Sequence, residues 1–171
     1  MHLSRSASIV IVAALSIAAG LAGCRQRERA PEAPVPMPVL MSTGGQDGEM
    51  DRTRIFIARR PMDLLPLGQN LLDDLAIDFD TQTAIVVSLG QRETAGHWVR
   101  IRSAQLENDK LYVQFTINEP DDEQMTAQVI THPWAVATIP RVGDDVRIHP
   151  EPEHISGAEA PEDVLPGDEI P

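Results

Sequence analysis

Leu111-Tyr112-Val113-Gln114-Phe115-Thr116-Ile117-Asn118 alternates apolar and polar side chains over its whole length. A strand sends successive side chains to opposite faces, so a period of two puts Leu111, Val113, Phe115 and Ile117 on one buried face. Upstream, Glu107-Asn108-Asp109 supplies a tight connection. Before it, His97–Gln105 alternates Val99 and Ile101 against Trp98, Arg100 and Arg102. Farther upstream, Thr83–Leu89 carries Ile85, Val87 and Leu89 on one face, and Gly90–Gly96 reads as a turn or short loop. Thr53–Ala58, rich in β-branched and aromatic side chains, predicts a first strand. Downstream of the acidic loop Glu119–Glu123, Met125–Thr131 and Trp134–Ile139 predict two short strands, or one strand interrupted at Pro133. Val142–His149 predicts the last strand.

Between the first two strands, Leu64, Leu67, Leu71, Leu72 and Leu75 recur at helical spacing. Pro66 suits only a first helical turn, so the helix is predicted over 66–76. Short turns favour antiparallel neighbours. The expected fold class is therefore α+β: an antiparallel β-sheet of five to seven strands with one helix, flanked by disordered tails.

The chain divides by composition. His2 and Arg5 precede an apolar run, Ala7–Ala19, that is shorter than the roughly 20 residues of a membrane span. It ends in Leu21-Ala22-Gly23-Cys24, which resembles the bacterial lipobox. The resemblance implies a signal peptide over 1–23 and lipid attachment at Cys24, the one cysteine of the chain. It also implies a cell-envelope location, at an outer membrane where the cell has one, because Arg25 rather than Asp follows the cysteine. Residues 24–52 read as a Pro/Gly-rich tether, with Arg25, Arg27 and Arg29 either solvated or near anionic headgroups. Residues 53–149 read as the folded domain, expected to fold without either tail. Residues 150–171 hold seven acids, five prolines and no Lys or Arg, and read as a disordered acidic tail.

Composition also narrows the function. A formal net charge of −12 offers nucleic acid no electrostatic footprint. One cysteine permits neither an internal disulfide nor a Cys-rich zinc module. The serines outside the leader, Ser42, Ser88, Ser103 and Ser156, lie in no Gly-x-Ser-x-Gly elbow, so no catalytic residue is assigned. His97, His132, His149 and His154 form no HExxH, and the acidic pairs lack the spacing of a calcium loop. No metal or cofactor is assigned.

In order along the chain come Ile77-Asp78-Phe79-Asp80, a strand ending Leu89-Gly90, Thr94-x-Gly96, and Gln128-Val129-Ile130-Thr131-His132-Pro133-Trp134. This order resembles the PrcB C-terminal domain family over about residues 53–148. Where the family has Gly-Gly-Tyr this chain has Ala95-Gly96-His97, and where it has Pro-Tyr this chain has Pro133-Trp134. The resemblance implies a non-catalytic accessory role, because the family's namesake is a lipoprotein that joins and stabilises a surface protease complex.

The candidate interaction residues are Arg92, Glu93, Thr94, Gly96, His97 and Trp98 in and after the glycine loop, with Trp134 beyond Pro133. Arg and aromatic side chains at a loop tip are typical interface anchors. The same loop also fits simple hairpin geometry, and Trp134 equally fits core packing. The expected function is a lipid-anchored protein-binding module with a protein partner, which the family resemblance implies to be a protease. Two alternatives remain. Thr94-x-Gly96-x-Trp98 and Pro133-Trp134 resemble the loops of chagasin-like peptidase inhibitors, although the spacing and the predicted helix favour the accessory role. A ligand-binding lipoprotein would need an apolar pocket with converging polar groups.

Overall fold

The computed structural model describes residues 33–69, 71 and 75–158. The expected signal segment, Cys24 and the tail beyond Ala158 lie outside these residues. Eight strands form two four-stranded sheets: β1 (Val35–Met37), β2 (Met41–Gly45), β3 (Arg52–Ala58), β4 (Gln82–Gly90), β5 (Trp98–Glu107), β6 (Lys110–Glu119), β7 (Trp134–Pro140) and β8 (Arg147–Ser156). One sheet has the order β1-β5-β6-β8 and the other β2-β7-β4-β3.

The alternation that predicted β6 places Leu111, Val113, Phe115 and Ile117 in the core between the sheets. There they meet Ile85, Val87 and Leu89 of β4, Val99 and Ile101 of β5, and Ala135, Ala137 and Ile139 of β7. The opposite face of β4 and β7 is also covered. Ala84, Val86, Trp134 and Val136 pack with Leu64 and Leu67 in a second cluster. Burial on both faces explains why β4 reads as an almost unbroken apolar run.

Leu64 and Leu67 come from a 3-10 helix, Pro61–Leu67. Pro66 lacks an amide donor and is poorly suited to an α-helix interior. Three residues per turn place Leu64 and Leu67 on one face, and both are buried. The Asp63 carboxylate accepts from the Arg59 and Arg60 amides at 3.0 and 3.1 Å, which caps the turn. Of the helix expected over 66–76, Pro66 and Leu67 belong to this turn, and positions 70 and 72–74 lie outside the described residues.

Four expectations need correction. The described residues form eight strands in two sheets, not five to seven in one. Residues 35–45, expected in the tether, form β1 and β2, which pair with β5 and β7. β8 runs to Ser156, into the expected tail, and pairs parallel to β6, because the chain crosses to the other sheet through β7 between them. Residues 125–130 form no strand, and β7 starts after Pro133 at Trp134. The edge strands β1 and β8, which contain Pro36 and Pro150 with Pro152, share one cause. Proline breaks the periodicity that marks a strand in sequence, but an edge strand needs amide donors on one side only. Arg147 N donates to Asp109 O at 2.7 Å, toward β6. Alternate residues of a parallel strand bond to the same neighbour, so Pro150 and Pro152 stand at the outward parity.

β5 carries one irregularity. Its register against β6 shifts between Ile101 and Ser103, leaving Arg102 as the extra residue. Ile101 and Ala104, three apart, therefore both reach the core. Arg102 Nε donates to the buried Thr116 Oγ1 at 3.0 Å on the other face.

The strand directions define two ends. One holds the β5–β6 turn, the starts of β1, β4 and β8, and the end of β3. The other gathers residues 46–51, 91–97, 120–133 and 157–158.

Candidate functional site

The gathered loops are cross-braced. Arg92 N donates to Thr131 O at 2.8 Å, and Thr131 N returns a bond to Arg92 O at 2.9 Å. Ala95 N donates to Ala127 O at 3.0 Å, and Thr131 Oγ1 to Thr94 O at 3.2 Å. Asn118 Nδ2 donates to Gly96 O at 2.9 Å. The 120–133 loop is held in turn by His132 N donating to Gln46 O at 2.8 Å and Gly48 N to His132 O at 3.2 Å. The loop after β4 is thus one strut of a braced platform, not a free hairpin tip.

Two glycines permit the turn. Gly90 has φ +74°, and a Cβ there would stand 2.7 Å from Arg52 C. Gly96 has φ +90°, with Pro120 Cγ 3.1 Å from its Cβ position. Left-handed backbone against a neighbouring chain favours glycine at both. Gly96 therefore has a geometric role, supporting the Thr94–His97 turn in which Thr94 Oγ1 and His97 Nε2 lie 3.2 Å apart.

His97 Nδ1 is buried and has no hydrogen-bond partner. Burial, reinforced by the Arg92 guanidinium, holds the His97 pKa below its ordinary value against the weaker opposing pull of Glu119. The ring is therefore uncharged at neutral pH. Among the described residues, no group of three or more His, Cys, Asp or Glu could hold a metal ion.

The platform distributes the expected interaction residues unevenly. Glu93 is exposed, and Arg92, Thr94, Gly96 and His97 are half-buried. Trp98, expected at the surface, is 2% exposed and donates from Nε1 to Ala158 O at 3.1 Å. Trp134 is 5% exposed within the second core cluster, with Nε1 donating to Asp47 Oδ1 at 3.0 Å. Both indoles are packing residues with satisfied N–H groups, because Trp134 meets Asp47 from the expected tether and Trp98 meets Ala158 from the expected tail. The exposed apolar side chains here are instead Met125 at 100%, Ile130 at 64% and Val129 at 50%. All three fall within the strand expected over Met125–Thr131. The available signal was Pro133, which interrupts the run, together with the acids before Met125, which continue the loop.

An open groove of about 770 Å³ runs beside β3, lined by Glu49, Met50, Asp51, Arg52, Thr53, Arg54 and Pro66. Four of these seven are charged, so this groove is not the apolar pocket that the ligand-binding alternative requires.

No curated protein and no solved structure matches the chain. A family model does match: PrcB C-terminal, over residues 83–140. That stretch, a third of the chain, runs from β4 to the end of β7 and contains both the 91–97 and 120–133 loops. From Thr83 to Pro140 the chain is similar to the PrcB C-terminal family, the one its motifs resemble.

Proposed function

We propose that this protein is a non-catalytic protein-binding module of the bacterial cell envelope, anchored by lipid on Cys24 and serving as an accessory subunit of a protease complex. The family match is consistent with the accessory role. The observation that carries the binding site is the exposure of Met125, Val129 and Ile130 on a hydrogen-bonded platform inside the matched stretch. Three exposed apolar side chains on a braced backbone can lose water on docking while little chain entropy remains to be lost. Arg92 and Glu93 supply polar contacts beside them.

The inhibitor alternative gains one point from the fold, since loops gather at one end of a two-sheet domain. It loses its anchors, because Trp98 and Trp134 are buried and cannot enter a protease cleft.

Partners captured from detergent-solubilised envelopes on the native protein, compared with the double variant Val129→Asp/Ile130→Asp, test the proposal. A protease-containing complex retained by the native chain and lost by the folded variant is the expected result. Equal capture by both would remove the platform from the interface.

A further inference from the structure

We propose that the free edge of β3 takes an extended, acidic segment of the protein partner as a fifth strand of the β2-β7-β4-β3 sheet. The inference goes beyond the platform and rests on the proposed protein-binding role only for the source of that segment.

This edge is intact where the others are not. Among the described residues, four strands border the two sheets: β1, β2, β3 and β8. β1 contains Pro36, β2 ends in Gly44-Gly45, and β8 turns Pro150 and Pro152 outward. β3 has seven residues and neither proline nor glycine. Such a strand keeps its donors and acceptors on the open side.

Hydrogen-bond parity identifies them. Arg141 N donates to Thr81 O at 2.8 Å and Leu89 N to Pro133 O at 2.9 Å, so the odd-numbered residues of β4 bond toward β7. The even-numbered Ala84, Val86 and Ser88 then bond their β3 partners Ala58, Phe56 and Arg54. Ile55 and Ile57 therefore turn N–H and C=O to the open side. Among the described residues, no backbone group of another element meets them there.

Room for a segment lies along the same edge. A second opening of about 330 Å³, lined by Arg54, Phe56, Ile57, Asp63 and Pro66, shares Arg54 and Pro66 with the groove of about 770 Å³. Together they follow β3 from Arg52 to Ile57.

Charge selects the occupant. Arg52 and Arg54 are exposed and share the parity of Phe56, so they lie on the sheet face that carries the 3-10 helix. Among the described residues, neither guanidinium joins an ion pair. Of the acids beside them, Asp63 is held by Arg60 at 2.8 Å and Asp51 lies 3.6 Å from His132 Nε2. An incoming strand with carboxylates at alternate positions would pair with both arginines. A second copy is disfavoured, because antiparallel registers centred on Thr53 or Arg54 set arginine opposite arginine.

The test uses the full chain in detergent micelles and two end-blocked peptides, Thr-Val-Glu-Val-Glu-Val-Thr and its Lys-for-Glu counterpart. Residue-resolved amide exchange should find Ile55 and Ile57 open in the free protein and slowed about tenfold by the Glu peptide, with Arg54 and Phe56 protected throughout. Binding should favour the Glu peptide over the Lys peptide about tenfold, and Arg52→Glu/Arg54→Glu should invert that preference. Methylating the peptide amides that face β3 should abolish binding, while methylating the alternate amides should not. Ile55 and Ile57 amides unchanged at millimolar Glu peptide, or a preference that the charge-reversed variant does not invert, would overturn the edge as the site. Protection of these amides by raised protein concentration alone would make the occupant a second copy and overturn the proposal. Val129→Asp/Ile130→Asp should bind the Glu peptide like the native chain, so failure of the platform reading leaves the edge standing. Equal capture of envelope partners by the native chain and by folded Arg52→Glu/Arg54→Glu would overturn the partner as the source of the strand.

Discussion

Trp98 Nε1 donates to Ala158 O at 3.1 Å, tying the first residue of β5 to the chain just beyond β8. Ala158 N also donates to Asn118 Oδ1 at 2.9 Å. These bonds clamp a Pro-rich segment onto the domain, so residues 150–158 are structural.

Ending the chain at His149 should therefore be severely destabilising. It removes most of β8 and leaves the Trp98 indole N–H without its acceptor. At about 1 kcal/mol for each lost ladder or clamp bond, the cost is on the order of 3–5 kcal/mol. Ending it at Ala158 should leave the melting temperature within a degree or two. Thermal melts of the two truncations side by side check this, and equal melting temperatures would show that β8 contributes nothing.

Gly90→Ala should cost at least ~1–2 kcal/mol for the left-handed backbone alone, and more from the approach to Arg52. Gly143 has no heavy atom within 4 Å of its Cβ position, so Gly143→Ala should be close to neutral. Urea denaturation midpoints of the pair give the comparison, with the m-value checked for constancy.

His97 gives the platform a pH signature. Its folded pKa lies below the ordinary 6.5 because of burial first and Arg92 second. Between the folded and unfolded pKa values the unfolded chain binds more protons, so stability falls as pH drops from about 6.5 through the folded pKa. Above 6.5 the ring is neutral in both states and stability is indifferent to it. His97→Gln should flatten this part of the profile, leaving the loss due to carboxylates at lower pH. Denaturation at a series of pH values, native against variant, reads the difference; parallel profiles would contradict it.

Surface and core residues of the same loop system should separate cleanly. Met125→Ala should change stability by less than about 0.5 kcal/mol, since the side chain is fully exposed, while weakening partner binding. Trp134→Ala should cost about 3–5 kcal/mol through loss of core packing, with the Asp47 bond lost as well. Calorimetric stability measured alongside partner capture distinguishes the two kinds of residue.

Four strands were legible in the sequence because alternation is a local property. Thr53–Ala58, Thr83–Leu89, His97–Gln105 and Leu111–Asn118 each carry enough apolar period to declare strand and inward face, and β3 to β6 lie within a residue or two of these bounds. The family resemblance was legible for the same reason, from short motifs in order between Ile77 and Trp134, and the family match covers 83–140.

What tertiary structure alone decided was the fate of the segments without period. Val35–Met37, Met41–Gly45 and Arg147–Ser156 become strands because β5, β7 and β6 each offer them a free edge. An edge partner is specified by the strand it joins more than by its own side chains, and it tolerates proline on its outward side. The same distinction governs the site. Sequence located the glycine loop, but whether an indole faces solvent depends on what packs over it. Asp47 and Ala158, brought from the apparent tether and the apparent tail, satisfy Trp134 and Trp98 and leave Met125, Val129 and Ile130 as the exposed apolar surface of the platform.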